Sequence, residues 1–318
     1  MASTTTSHRP ISARPDPPPR RRPSRQRRDD LAGYLFLTPW LLGIVVIVGG
    51  PILASLYLSF TDYSILGVPR LSGLDNYVRM LTDDPRFWTS LGVTLAYLFL
   101  SVPLVVVFAL LLAMVLDRGV RGLPVYRAVF YLPSLIGGSV AIAILWRSVF
   151  GEDGLFNAGL GLVGIDTDFS WIGTPDTALG TLIALNVWQF GAPMLIFLAG
   201  LRQVPAELQE AARIDGAGAV RRFFSVTLPM LSPIIFFNVL MSTVNAFQAF
   251  NTAYIVSNGT GGPASSTLFF TLYLYQRGFT NFEMGYASAL GWALLVVAAS
   301  VTALLFLASR RFVFYGDR

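Results

Sequence analysis

Six stretches of this chain, residues 34–59, 89–116, 128–146, 177–201, 231–256 and 286–308, contain no Asp, Glu, Lys, Arg or His. Each is near or above the ~20 residues that cross a bilayer as a helix. In hydrocarbon the backbone must satisfy its own hydrogen bonds, which leaves helices or closed barrels. Uninterrupted apolar runs of this length select the helix. The chain is therefore expected to be an all-α integral membrane protein with six transmembrane helices over residues 31–318. Charged residues make up only 13% of the chain, about half the share in soluble domains. A further apolar segment, residues 267–275, is too short to span and is expected to be interfacial or re-entrant.

The absences narrow the chemistry. All 23 basic residues are arginine, there is no cysteine, and the single histidine is His8. A phosphate-binding loop of the Walker type needs its lysine, so no ordinary ATPase site fits. Thiol catalysis, disulfides, thiolate metal sites and histidine triads lack their material. No catalytic residue and no metal site is expected. Spans without ionisable groups also argue against a self-powered proton-coupled carrier, so the energy must come from another chain.

Arginine sets the expected orientation. Eight arginines fall in the first 28 residues, a Pro-, Ser- and Thr-rich stretch including Pro17-Pro18-Pro19-Arg20-Arg21-Arg22. Such a stretch cannot bury enough apolar surface to order itself, so residues 1–30 are expected to be a disordered cytoplasmic tail. It lacks the cleavage site of a signal peptide. Beside a membrane its arginines suit topology and anionic lipid better than nucleic acid. Placing both termini in the cytoplasm puts eighteen arginines inside and five outside, the arrangement that the positive-inside rule favours. The expected location is the cell membrane, with several passes. The outer loops then hold ten of the 18 acidic residues, a polar rim on which a binding protein can dock.

The connection at 202–229 is long and well patterned. Pro205 suits the first turn of a helix, and Ala206 to Ile214 are mostly good helix formers. Gly216 and Gly218 end that helix in a tight turn, a second short helix starts near Ala219, and Pro229 marks the next span. The string Glu210-Ala211-Ala212, Gly216, Val226, Leu228-Pro229 resembles the EAA loop of ATP-binding-cassette importer permeases. Valine at 226 stands where isoleucine is more usual. Asn186-Val187-Trp188, Ile214-Asp215-Gly216-Ala217 and Gly261-Gly262-Pro263 are similar to the carbohydrate branch, which includes maltose, glycerol-phosphate and oligosaccharide permeases.

The resemblance covers the chain from about Leu31 and implies a type I importer (MetI-like) fold. It implies that Glu210, Ala211, Ala212, Arg213, Asp215, Gly216, Leu228 and Pro229 couple the chain to a dimeric cytosolic ATPase. ATP and magnesium would be bound there and not by this chain. The further partners implied are a second similar permease and an extracytoplasmic substrate-binding protein.

Two spans carry uncharged polar residues: Asn186 and Gln189 beside Phe190 in the fourth, and Asn238, Ser242, Thr243, Asn245, Gln248 and Asn251 in the fifth. Ser242, Asn245, Gln248 and Asn251 recur every three residues, along one side of a helix. Such side chains line a cavity or bridge helices, and spacing alone does not choose. As a cavity wall, amides among aromatic faces suit a neutral, hydroxyl-rich solute, so Asn186, Gln189, Phe190, Ser242, Asn245, Gln248 and Asn251 are the candidate substrate path. The maltose permease draws its pocket from the same helix regions. Here Ala246 stands at the family's pocket asparagine and Phe190 at a glycine, which leaves the sugar open. Other small solutes (a polyol, glycerol phosphate, a polyamine) are the alternatives, with a channel or secondary carrier further off. Pro39, Pro51, Pro103, Pro133 and Pro193 mark expected kinks, and Gly43 and Gly137-Gly138-Ser139 close helix contacts.

Overall fold

The computed structural model describes residues 23–119 and 121–313. Residues 1–22 of the expected tail lie outside this range. From Pro23 the chain is helical. The described chain divides into two units, residues up to 54 and residues 55–318. From Pro23, α1 (Pro23–Gly43) runs through a π-helical turn, Ile44–Gly49, into α2 (Gly50–Ser59), whose last five residues belong to the second unit.

The second unit is helical apart from a two-residue hairpin, β1 (Thr61–Asp62) with β2 (Arg70–Leu71), paired antiparallel with Thr61 opposite Leu71. Next come α3 (Asp75–Thr82), α4 (Pro85–Asp117), α5 (Leu123–Ile136), α6 (Val140–Val149) and α7 (Leu155–Leu162). They are followed by α8 (Pro175–Trp188), α9 (Gly191–Leu201), α10 (Ala206–Ile214), α11 (Ala219–Arg222) and α12 (Leu228–Phe247). The chain then forms α13 (Asn251–Val256), α14 (Phe270–Tyr275) and α15 (Met284–Phe312).

Helix α4 is the centre of this unit. Its buried residues Thr94, Tyr97, Leu98, Ser101, Val102, Val105, Ala109 and Ala113 recur at three and four, the period that stacks side chains on one face. Helices α8, α9, α12 and α14 pack around it. Small residues set the close approaches: a Cβ on Gly200 would lie 2.3 Å from the Ile234 side chain, so α9 and α12 nearly touch there.

Among the described residues, four helical stretches are long and apolar enough to cross a membrane unbroken: 33–59, Pro85–Asp117, Ala219–Phe247 and Met284–Phe312. The third and fourth expected spans are instead bent pairs, α5–α6 at 98° and α8–α9 at 44°. Six spans result only if each pair counts as one. The breaks have local causes. Gly137 and Gly138 follow Pro133, and the Ser139 hydroxyl accepts from Ile142 N to start α6 afresh, an N-cap. In the fourth span Pro193 has no N–H to offer Gln189 O four residues back. The fifth span also differs from expectation, because α12 stops at Phe247 and three residues separate it from α13.

The short segment near 270 is packed into the protein: Leu268, Phe270, Leu272 and Tyr273 are fully buried. Phe270 N donates to Thr94 Oγ1 at 2.9 Å, and Phe269 stacks edge-on against Tyr97. An ionic cluster fastens this segment to the helix ends beside it. Asp84 caps α4 by accepting from Arg86 N at 3.0 Å and Phe87 N at 3.3 Å. Its second oxygen accepts from the hydroxyls of Tyr273 and Tyr286 and lies 3.6 Å from Arg277. Arg277 also pairs with Glu283 at 3.2 Å. Burial pulls the Asp84 carboxyl upward, but the two tyrosine hydroxyls, Arg277 and the Phe87 amide outweigh it and hold it below the ordinary carboxylate range. Burial, reinforced by the bond to Asp84, pushes Tyr273 up to about 12.

Candidate functional site

Pro193 shapes the first site. With Gln189 O unclaimed by its own helix, the Ser134 hydroxyl of α5 donates to it at 3.0 Å and accepts from Ala192 N at 2.9 Å. One side chain thus satisfies two backbone groups left by the break, as buried backbone requires. The helices can come this close because Gly191 lacks a side chain. A Cβ there would sit 2.2 Å from Phe130 O.

Beside this junction lies a cavity of about 360 Å³, within the usual size range of small-molecule sites. Asn186, Gln189, Ser242, Asn245, Gln248 and Asn251, six of the seven residues expected along the substrate path, are all in its wall. Ser242 and Asn245 come from α12, Gln248 from the turn after it, and Asn251 from the first position of α13. The three-residue recurrence therefore brings them together through a break and not along one continuous helix. Phe190 does not share the wall. It is buried, 4.9 Å from the Phe108 ring and 5.9 Å from that of Phe130, turned inward where the helix breaks. Asn238 and Thr243 are buried too, and Asn238 Nδ2 donates to Ile234 O at 3.0 Å within its own helix.

Sequence reasoning missed Tyr97 and Ser134. Tyr97 accepts at 2.6 Å from Asn186 Nδ2, which orients that amide at the cavity wall. Nothing in the sequence separates Tyr97 from the other tyrosines. Ser134 lies between Pro133 and Gly137, a cluster legible only as a kink. No lining residue of the cavity is ionisable at neutral pH. Such a wall offers amide and hydroxyl donors and acceptors, and no fixed charge.

The second site is the 202–229 connection. Helix α10 ends at Asp215 with Gly216 at φ +80°. Ala217 N donates to Ala212 O at 2.9 Å and Gly216 N to Arg213 O at 3.1 Å, a left-handed glycine cap. Glu210, Ala211, Arg213, Asp215 and Gly216 are exposed, while Ala212, Leu228 and Pro229 are partly covered. The second short helix expected here does not stand alone. It runs from Ala219 through a π-helical turn, Phe223–Thr227, directly into α12. The π turn absorbs the missing Pro229 N–H, a usual cause of such bulges. Gln209 Nε2 donates to Thr227 Oγ1 at 2.9 Å, holding α10 against this helix.

Glu210 opens on a groove of about 550 Å³ shared with Asp117, Arg118, Arg222 and Phe223. Sequence reasoning passed over the exposed apolar residues of this connection: Leu208, Ile214, Val220 and Phe224, with Ile214 87% exposed. Exposed apolar side chains on a connection between spans are of the kind that mark contact with another protein. Among the described residues there is no cluster of His, Cys, Asp or Glu able to hold a metal ion.

Comparison with known proteins agrees with this architecture. Residues 85–314 match the family described as the binding-protein-dependent transport system inner membrane component. A probable ABC transporter permease protein, YesP, of Bacillus subtilis is 51% identical over 292 residues, covering 92% of this chain and 94% of that protein. A lactose transport system permease protein, LacF, of Rhizobium radiobacter is 35% identical, covering 91% and 97%. In fold, the chain is similar to one in the crystal structure of a bacterial alginate ABC transporter in complex with an alginate pentasaccharide-bound periplasmic protein. That match has a TM-score of 0.78 at 21% identity and covers 92% of this chain and 98% of that one. The chain is a multi-pass membrane protein and a transport subunit rather than an enzyme, and it belongs to the family of binding-protein-dependent transport system inner membrane components.

Proposed function

We propose that this chain is one of two similar permease subunits of an importer that moves a neutral sugar or oligosaccharide across the cell membrane. Both termini lie in the cytoplasm. A dimeric cytosolic ATPase, which binds the ATP and magnesium, docks on the 202–229 connection. An extracytoplasmic binding protein delivers the solute to the opposite face. ATPase closure moves α10, the spans rock, and the cavity opens alternately outward and inward. No bond of the solute is broken on this chain.

The observation that carries this reading is the uncharged wall of amides and hydroxyls at the break in the fourth span. A sugar's hydroxyls exchange hydrogen bonds with such a wall, whereas a phosphate or an amine would call for fixed opposite charge. The relatives support the class: beside the lactose permease, an arabinooligosaccharides transport system permease of Bacillus subtilis is 34% identical. At the other site, Glu210 and the exposed Ile214, Val220 and Phe224 supply a charge and apolar anchors for the ATPase. Gln209, bonded to Thr227, passes movement of α10 directly into α12.

The test is co-purification and uptake in membranes that contain the partner subunits. An ATPase chain is expected to co-purify with this protein, and labelled neutral saccharide to accumulate when ATP is supplied. Glu210→Arg is expected to leave the chain inserted in the membrane but to abolish accumulation and release the ATPase. Full uptake by that variant would refute the docking role, and ATP-independent equilibration of the sugar would refute the driven mechanism.

A further inference from the structure

The two broken spans meet at their breaks. Gly137 ends α5, and a Cβ built on it would lie 2.3 Å from Cγ and Cδ of Gln189 and 2.6 Å from its Oε1. The Gln189 side chain therefore occupies the space that any side chain at 137 would fill. It is held there by a bond from Nε2 to Leu185 O at 3.2 Å, while Ser134 holds its backbone carbonyl. Gly137 has φ −61° and ψ −29°, ordinary right-handed helical values that any residue adopts. Its glycine is not required by the backbone. What the missing Cβ provides is room for Gln189.

The geometry points to Gly137 as a specificity-determining position that acts through Gln189. With glycine at 137, the Gln189 amide lies back against α5 and the cavity keeps its full width. With any larger residue, the amide swings off α5. Cγ and the groups beyond it are the flexible end of the side chain, so they yield before the backbone does. The side open to them is the cavity, whose wall Gln189 already forms. At about 360 Å³ the cavity is near the lower limit for ligand sites, so one intruding amide decides which solutes pass. This inference rests on the proposed function in taking the cavity as the solute's path.

The chain has no cysteine, so one introduced thiol is the only one on it, and labelling is read on this chain after it is isolated from its partners. The full chain carrying Asn245→Cys is labelled in native membranes with its partner subunits present. Two probes are used, a small ammonium methanethiosulfonate and a bulky biotin-maleimide. The reporter is expected to react with both. Adding Gly137→Ala is expected to slow the bulky probe by about tenfold and the small one by no more than about twofold. Adding Gln189→Ala to that pair is expected to restore the bulky probe's rate, which general damage at α5 would not do. Equal rates in the Gly137→Ala background overturn the inference, as does a slowed rate that Gln189→Ala does not relieve. A reporter deaf to both probes overturns it too, because there would be no open cavity to narrow.

A second arm measures uptake of neutral di- and trisaccharides without the reporter. Gly137→Ala is expected to lose the trisaccharide first, and equal loss of both sugars counts against the inference. Failure of the wild type to take up any saccharide counts against the sugar reading alone, and the labelling result still judges Gly137.

Discussion

Replacing Asp84 tests whether the ionic cluster holds the buried 267–275 segment in place. Asp84→Ala removes the cap of α4, worth about 1 kcal/mol. It leaves two largely buried tyrosine hydroxyls without their acceptor, about 1–3 kcal/mol each. It also removes one of the two carboxylates beside Arg277. These groups share one network, so the losses do not add fully. The expected total is about 3–5 kcal/mol, the usual cost of breaking a buried charge pair. At about 2–4 °C per kcal/mol for a chain of this size, that is a fall in melting temperature of roughly 6–20 °C. Asp84→Asn keeps a capping oxygen but puts an NH2 donor where the second oxygen accepts from Tyr273 and Tyr286, so it loses the charge and one acceptor and should fall in between.

The assay is thermal unfolding of the purified chain, followed by far-ultraviolet circular dichroism and the fluorescence of its six tryptophans. Its pH dependence carries a definite sign. The folded Asp84 carboxyl lies below its ordinary value, so its contribution is full above about pH 3.9. It is lost as pH falls through the folded value. The gap between wild type and Asp84→Asn should therefore close on acidification. A melting temperature for Asp84→Ala within about 2 °C of wild type would refute the argument.

Ser134→Ala strips Gln189 O and Ala192 N of their shared partner and should cost about 1–3 kcal/mol. Ser134→Thr, which keeps the hydroxyl, should recover part of it in the same melting assay. Gly285→Ala would place a Cβ 2.0 Å from Thr61 O and 3.0 Å from Tyr63 N. Backbone atoms on both sides cannot yield cheaply, so a loss of about 1–3 kcal/mol or more is expected, read as a lower yield of folded protein. Asn186→Leu frees Tyr97 of its donor and should raise the half-saturation concentration for uptake about tenfold or more while the ATPase still co-purifies. Loss of assembly in that variant would assign Asn186 to helix bridging.

Much of this architecture can be read from apolar runs, because a helix in lipid cannot conceal its length. What a run cannot convey is whether it is straight. Residues 128–146 read as one span, yet Gly137 and Gly138 turn it through 98°, since hydropathy is blind to a bend between two apolar halves. The recurrence of Ser242, Asn245, Gln248 and Asn251 did indicate a shared wall, although a break after Phe247 interrupts the helix that the recurrence assumed. Phe190 went astray for the same reason, since its direction is set by a break that Pro193 and Ser134 create together. Asp84 read as part of an acidic rim, because its partners are distant in sequence and no local pattern marks them. The 202–229 connection was legible in its charges and glycines. Its exposed apolar residues were overlooked because single apolar residues in a loop carry little signal.

The distance from Asp84 to its partners also bears on how the protein is made. Tyr273 and Tyr286 lie 189 and 202 residues beyond it. At about 5–20 residues per second, synthesis needs about 10–40 s to reach them. Throughout that interval α4 is present with its capping carboxylate at the membrane boundary and no tyrosine or arginine to receive it. Every helix between α4 and α14 must be inserted in this open state. The cluster is thus a late closure, which cannot be complete until residue 286 has been made.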